Sequence, residues 1–503
     1  MNLPLIRPPA VALNLITPEL ALLATSILIL LVALFDRPGH GHLRLSLIAM
    51  AGILVAVVRD GMLLAGGSLP ATTFAGTLIM DPLSAVLDLV ILLSALVAVV
   101  LAMNRPEGSP DYLALLLWSA IGMMVLVSAH DLIVLFLAVE VLSLPLYILC
   151  AFRPDRPASL EAAVKYFLLG AFSSGFLLYG LALLFGLSGG TNLSQVASAL
   201  AGVGSAPLFA HSAASAGVLA EVAVGLVVVG LGFKLGAVPF HQWVPDVYEG
   251  APTSVVTFMS VGTKVAAFGV LARLVVTVLQ GSAVDWQSLL GALAVATIIG
   301  GALLALPQRN FKRLLGYSGI LNAGYLVAVL VVGTAAAQAA GVYFLITYAL
   351  MNLGAFAVIS AVSAGHEDGV MLEHYRGLFY RQPWMAVAMA VFLLSLASIP
   401  PLSGFFGKLF LLEALISGHQ LFLALTVVAG TAVTLIVYGR PLLAMFIPAD
   451  APATPSARPA PAVAVAVGVL AVAVVAVGVA PGLLVQLVHG VAHSGPLAGI
   501  SRR

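Results

Sequence analysis

Charge is what this chain has least of. Asp, Glu, Lys and Arg make up only 8% of its 503 residues, against about 25% in an ordinary soluble domain. The 21 basic and 20 acidic residues balance to +1, so no basic face exists for nucleic acid. Cysteine is nearly absent too. The single Cys150 excludes a disulfide framework, an iron–sulfur cluster and a Cys-rich zinc site. There is no GxGxxG and no complete Walker A motif. Gly404–Phe405–Phe406–Gly407–Lys408 resembles a phosphate loop only superficially, because its flanks read as membrane helix.

What the chain does have is apolar sequence. It is 62% hydrophobic, with a mean hydropathy of +1.14. A spanning helix needs about 20 apolar residues. The apolar runs fall at 16–35, 45–58, 77–103, 111–128, 132–151, 161–187, 217–240, 252–279, 286–306, 312–332, 336–362, 384–415, 420–446 and 461–488. They are continuous rather than alternating, so they predict helices and not barrel strands. Asn2–Arg7 is barely basic and the first run is long enough to span, so no cleaved signal peptide is expected.

Lys and Arg placement predicts orientation. Loops after odd-numbered spans hold twelve: Arg37, Arg44, Arg105, Arg153, Arg156, Arg309, Lys312, Arg313, Arg376, Arg381, Arg440 and Arg458. The other side holds four: Arg7, Arg59, Arg502 and Arg503. Both termini are therefore expected outside. Five basic residues remain within spans: Lys165, Lys234, Lys264, Arg273 and Lys408. Of the longer connections, 188–216 predicts at most a surface helix over 193–203, 363–383 is polar, and 448–461 is a Pro/Ala linker.

Phe233–Lys234–Leu235, beside Pro239 and Pro245, matches Gly407–Lys408–Leu409, beside Pro400 and Pro401, at an offset of 174. That offset maps spans 4–8 onto 9–13. A shift of five helices reverses topology, as in the inverted repeats of transporters. The expected fold is an all-α polytopic membrane protein of about fourteen transmembrane helices, with two inverted five-helix repeats and breaks in spans 7 and 12. The expected units are 1–110, 111–280, 281–447 and 448–503.

A charge at the centre of a membrane helix costs about 3 kcal/mol on insertion scales. Glu140, Lys234, Lys264 and Lys408 all lie deep in their spans. Burial disfavours the charged form of a lysine and a nearby carboxylate restores it, so a Lys beside a movable Glu forms a protonation switch. These four residues read as a proton path, with a static ion pair between helices as the alternative. Lys165, near the start of span 6, is either part of the path or a headgroup anchor. Arg273, near the end of span 8, reads as structural. Pro239, Pro400 and Pro401 break helices, and carbonyls freed at membrane depth are tolerated where they line a hydrated cavity. His241 follows the first break and reads equally as a proton relay or a hydrogen-bonded structural histidine. No second histidine suits axial haem ligation. Asp81 and Asp131 look like helix-end acids, and Asp88 is secondary. Glu413, five residues past Lys408, points largely elsewhere. Asp246 and Glu249 either gather protons or cap helices.

Three blocks carry a family resemblance: Ala129-His-Asp-Leu132 with Glu140-Val-Leu-Ser-Leu-Pro-Leu-Tyr147; Glu161-Ala-Ala-Val-Lys-Tyr-Phe-Leu-Leu-Gly-Ala-Phe-Ser-Ser174; and Lys234-Leu-Gly-Ala-Val-Pro-Phe-His-Gln-Trp-Val-Pro-Asp-Val-Tyr-Glu-Gly-Ala-Pro252. From about residue 75 to 445 the chain resembles the antiporter-like membrane subunits of bacterial respiratory complex I, the proton-translocating NADH:quinone oxidoreductase. The resemblance implies a fourteen-helix fold with inverted repeats and a proton channel. It implies that Glu140 and Lys234 are a coupled pair, Lys264 a connecting lysine, Lys408 the lysine of the second half-channel and Lys165 an additional one. It implies a bacterial inner-membrane location among other membrane-arm subunits, with FMN and iron–sulfur clusters in partner chains and quinone used by the complex rather than bound here. The chain departs from the pattern at Asn322, where relatives often carry histidine; an amide cannot ionise, so a relay there needs water. A multi-subunit cation/proton antiporter shares the fold and the Glu–Lys pattern, but Ser143–Tyr147 and Pro245–Gly250 favour complex I. A non-conducting scaffold and an autonomous transporter are further alternatives.

Overall fold

The computed structural model describes residues 11–35, 42–67, 69–103, 105, 108–202, 213–363, 370–448 and 459–493. Arg7, Arg37, Arg458, Arg502, Arg503 and most of the 448–461 linker lie outside the described residues.

The chain is a bundle of helices because, without water, only helices and closed barrels satisfy their own backbone polar groups. The first six spans are α1 Thr17–Ala33, α2 His42–Ala65, α3 Pro82–Ala102, α4 Pro110–Ser128, α5 Leu132–Cys150 and α6 Pro157–Ser188. Local signals set their starts. The Asp81 carboxylate accepts from the Ser84 backbone N–H at 2.8 Å, and Asp131 accepts from Ile133 at 2.9 Å. Both expected helix-end acids are thus N-caps. Pro82, Pro110 and Pro157 stand where a missing N–H does no harm.

The expected surface helix is α7 Leu193–Leu200. Span 7 is broken into α8 Ala213–Leu235 and the short α9 Trp243–Gly250. α10 Thr253–Leu274 follows and is buried along its whole length. Then come α11 Trp286–Ala305, α12 Phe311–Leu330 and α13 Ala335–Ser363. A one-turn α14 Leu378–Arg381 precedes span 12, itself broken into α15 Pro383–Leu396 and α16 Ser403–Ser417. α17 Leu421–Phe446, α18 Pro461–Val479 and α19 Gly482–His493 complete the chain.

Thirteen described helices are long and apolar enough to cross a membrane. The fourteenth expected span is the broken pair α15 and α16, neither of which reaches that length. One piece of sheet interrupts the helices: β1 Ala71–Thr73 pairs antiparallel with β2 Leu78–Met80. It takes up the start of the apolar run expected to open span 3.

The offset of 174 aligns the two lysines, whereas the two helix breaks align at a different one. α8 ends with Gly236 at φ +79°, the Gly236 N–H donating to Phe233 and the Ala237 N–H to Gly232. α15 ends with Ser398 at φ +63°, Ser398 donating to Ser395 and Ile399 to Leu394. Both are Schellman caps, and the left-handed residue is glycine in one and serine in the other. A proline follows three residues later in each, Pro239 and Pro401. These features match at an offset of 162, not 174. Lys234 therefore corresponds to Leu396, and Lys408 corresponds to Asp246.

Candidate functional site: buried lysines at two helix breaks

Lys234 is the last residue but one of α8 and is 2% exposed. A cation at a helix C-terminus is favoured by the partial negative charge there. Its Nζ donates to the Tyr147 hydroxyl at 3.3 Å. It also lies 5.3–5.5 Å from the ring centroids of Tyr147, Tyr166 and Phe233, within cation–π range. Trp243 closes this cage, stacking on Tyr166 at 4.5 Å and donating from Nε1 to the Phe233 carbonyl at 2.9 Å.

Glu140 sits seven residues before Tyr147 on α5, two helical turns along the same face. Ser143 lies between them on that face, with its hydroxyl bonded to the Val139 carbonyl. Glu140 is half-buried, and its Oε1 is enclosed with no hydrogen-bond partner among the described residues. No ion pair joins Glu140 to Lys234 among the described residues. The phenol of Tyr147 is the group on α5 that reaches the ammonium.

Lys264, in the middle of α10, is 1% exposed. Its Nζ donates to the Tyr248 hydroxyl at 3.1 Å. Gly319 of α12 makes room for it: a Cβ there would stand 3.3 Å from Nζ and 3.1 Å from the Tyr348 hydroxyl. One turn further along α12, Asn322 donates to the Ser318 carbonyl at 2.8 Å. Ser318 in turn shares a hydrogen bond with the Tyr438 hydroxyl. The amide at the departing position is thus built into a hydroxyl cluster.

Lys408 lies on α16, and its Nζ donates to the Leu396 carbonyl at 3.4 Å. Leu396 ends α15, so the break frees a helix-terminal carbonyl and the lysine takes it. The Tyr325 ring lies 5.1 Å from the ammonium.

The other candidates fall elsewhere. Lys165 keeps 41% of its side chain exposed and pairs with Glu161 and Asp246, both at 2.7 Å. Asp246 also pairs with Arg313 at 2.7 Å, and Arg313 with Glu249 at 2.8 Å. His241 is half-buried in the turn after the break, its Nδ1 without a partner, and it bonds to none of the lysines among the described residues. Arg273, read as structural, lies in a buried ion pair: its guanidinium donates to both Asp81 oxygens at 2.9 and 3.1 Å, to Ser84 and to the Val127 carbonyl.

Two placements correct the sequence reading. Lys312, counted among the loop cations, is fully buried at the start of α12 and donates to the Ala251 carbonyl at 2.7 Å. Glu19 and Asp60 are buried on α1 and α2, with Asp88 on α3; the first two lie near apolar run ends, where sequence alone does not mark a charge as buried. The cage aromatics were also passed over, although Tyr147 at seven residues from Glu140 and Tyr166 beside Lys165 were legible spacings.

A sequence model of the NADH:quinone oxidoreductase/Mrp antiporter transmembrane family matches residues 129–434, the stretch that holds all of these lysines. NADH-quinone oxidoreductase subunit N 1 of Symbiobacterium thermophilum is 41% identical over 423 residues, covering 84% of this chain and 85% of that protein. The chain belongs to the NADH-quinone oxidoreductase subunit N family. Subunit N of Desulfovibrio desulfuricans is also 41% identical, over 83% of each chain. A chain of respiratory complex I from Thermus thermophilus superposes with a TM-score of 0.76 at 34% identity, covering 93% of this chain and 98% of that one. A chain of the Mrp complex from Dietzia sp. superposes with a TM-score of 0.82 at 22% identity, a likeness of fold alone. Subunit N relatives therefore separate the two family branches that the Glu–Lys pattern leaves together.

Proposed function

We propose that this chain conducts protons in the membrane arm of an NADH:quinone oxidoreductase. Electron transfer from NADH to quinone takes place in other subunits, which carry the FMN and iron–sulfur clusters. The observation that carries the reading is the shared environment of Lys234, Lys264 and Lys408. Each ammonium is buried with one oxygen acceptor and an aromatic face, and none is in an ion pair among the described residues. A static structural cation would be expected to have a carboxylate, as Arg273 has Asp81. A lysine held only by neutral oxygens is able to give its proton up.

Glu140, Lys234, Lys264 and Lys408 carry the proton in that order, with Tyr147 bridging the first pair. Lys165 and His241 lie at the approaches. Ion pairing along the arm shifts as quinone is reduced, and a change in the partner of Glu140 changes the proton affinity of Lys234. Moving one charge against 100 mV takes about 2.3 kcal/mol, which a change of roughly two units in proton affinity supplies. Residues 111–280 and 281–447 form the two half-channels, flanked by 1–110 and 448–503. The chain lies in the bacterial plasma membrane with both termini outside.

The test is Lys234→Ala in the assembled complex, reconstituted in sealed vesicles. Proton yield per NADH falls while NADH oxidation with an uncoupler persists. Unchanged pumping would identify a scaffold subunit instead.

A further inference from the structure

The short helix α9 reaches the surroundings of both lysines of the first half: it backs the Lys234 cage and touches Lys264 itself. At its start Trp243 closes the Lys234 cage against Tyr166. At residue 248 the Tyr hydroxyl takes the Lys264 ammonium at 3.1 Å. Between them, Asp246 faces outward and is gripped from two sides: by Lys165 of α6 at 2.7 Å and by Arg313 of α12 at 2.7 Å. Lys165 adjoins Tyr166 in sequence, so the same segment of α6 holds both the clamp and a wall of the cage.

An eight-residue helix between two breaks cannot hold its own orientation by backbone bonding alone. Burial of Trp243, Val244, Val247 and Tyr248 fixes its inner face, and on its outer face the described side chains available are these charges. Aligning the two caps in sequence adds a second point: the position filled by Lys408 after the second break is filled by Asp246 after the first.

We propose that Asp246 is a positioning residue that couples the two buried lysines. Clamped between Lys165 and Arg313, it sets α9 so that Trp243 encloses Lys234 while Tyr248 accepts from Lys264. Tyr248 then acts as the acceptor that orients the Lys264 ammonium for the path; the phenol keeps its own proton, so no bond is made or broken there. The charged groups that face Asp246 are Glu161 and Lys165 on α6, Glu249 on α9 itself and Arg313 on α12. This proposal rests on the proton-conducting reading above.

The experiment uses the whole complex in sealed vesicles, with Asp246→Asn, Asp246→Glu, Tyr248→Phe and Tyr248→Phe/Lys264→Ala. Asp246→Asn removes the charge and keeps the shape. It is expected to lower proton yield per NADH without changing uncoupled NADH oxidation, and Asp246→Glu is expected to restore the yield. Tyr248→Phe keeps the ring and removes the acceptor, so it is expected to lower the yield as Lys264→Ala does. The double variant is expected to fall no further, because Tyr248 acts through Lys264. Wild-type yield in Tyr248→Phe, or an additive double variant, overturns the proposal. Equal loss in Asp246→Asn and Asp246→Glu also overturns it, since a charge clamp must be rescued by a charge. Backbone amide exchange over 243–250 supplies a second readout that does not depend on pumping. It is expected to quicken in Asp246→Asn alone, and unchanged exchange there rejects the clamp. If Lys234→Ala and Lys264→Ala both pump normally, the proton-conducting reading itself has failed, and the exchange result still decides the clamp.

Discussion

Arg273→Leu should destabilise this chain more than any substitution among the lysines, and the geometry gives the size. The Arg273 and Asp81 side chains are 1% and 4% exposed. Removing the guanidinium leaves a buried carboxylate without its counter-charge and strips donors from Ser84 and from the Val127 carbonyl. Breaking a buried pair by deleting one partner costs about 3–5 kcal/mol. At about 1.4 kcal/mol per tenfold, the opening equilibrium rises by about 10²- to 4 × 10³-fold. Cys150 is the chain's one thiol and is fully buried. Its maleimide labelling in the purified complex, followed by mass spectrometry of this chain, therefore reports opening. The pH dependence has a definite sign. Burial pushes the Asp81 carboxyl up, but Arg273 outweighs it and holds the carboxyl below its usual range. In the wild type that contribution is complete above the ordinary carboxylate value and disappears as pH falls through the lowered one. In Arg273→Leu burial is opposed only by the Ser84 N–H and hydroxyl, so the carboxyl moves up, and the loss is largest at neutral pH and shrinks on acidification as the carboxyl takes a proton. Asp81→Asn in the same background should recover part of the loss while keeping the helix cap. Labelling at the wild-type rate, or a difference that does not narrow at lower pH, would refute the reasoning.

Tyr147→Phe keeps a ring beside Lys234 and deletes its hydroxyl acceptor. A hydrogen bond to a charged group is worth about 1.5–3 kcal/mol, so proton yield per NADH should fall with assembly intact; normal pumping would remove Tyr147 from the path. Gly319→Ala should assemble normally yet pump poorly, because the new Cβ crowds both the Lys264 ammonium and the Tyr348 hydroxyl; vesicle proton uptake checks it. Lys312→Ala deletes a buried donor to the Ala251 carbonyl. It should lower stability by about 1–3 kcal/mol, measured by the same Cys150 labelling, and should leave proton yield per NADH unchanged.

Much of the site was legible because charge is so scarce. A lysine inside an apolar run has no other way to be read than as buried, and Lys234, Lys264 and Lys408 are all at most 5% exposed. Lys165 shows the limit of that logic. Its place near the start of a run left it open between the path and a headgroup anchor, and it lies about two turns into α6, where a long side chain reaches Glu161 and Asp246. Lys312 shows the converse. It stands at a helix start, where a loop cation is expected, yet α9 and the turn before α10 close over it.

The sequence by itself determined the class, the number of spans, the two breaks and the identity of the deep lysines. These are local properties: hydropathy over about 20 residues, proline and glycine at helix ends, and single charges against an apolar background. Only the tertiary structure decided what each lysine touches. The Lys234 cage draws on α5, α6 and α9, and Lys264 meets a tyrosine from across the α9–α10 turn. Lys408 takes a carbonyl that exists only because α15 stops. The alignment of the breaks at 162 rather than 174 likewise depended on the two caps, which are set by backbone geometry and carry no shared residue at the left-handed position. Contacts between helices distant in sequence follow from packing, and no local pattern records them.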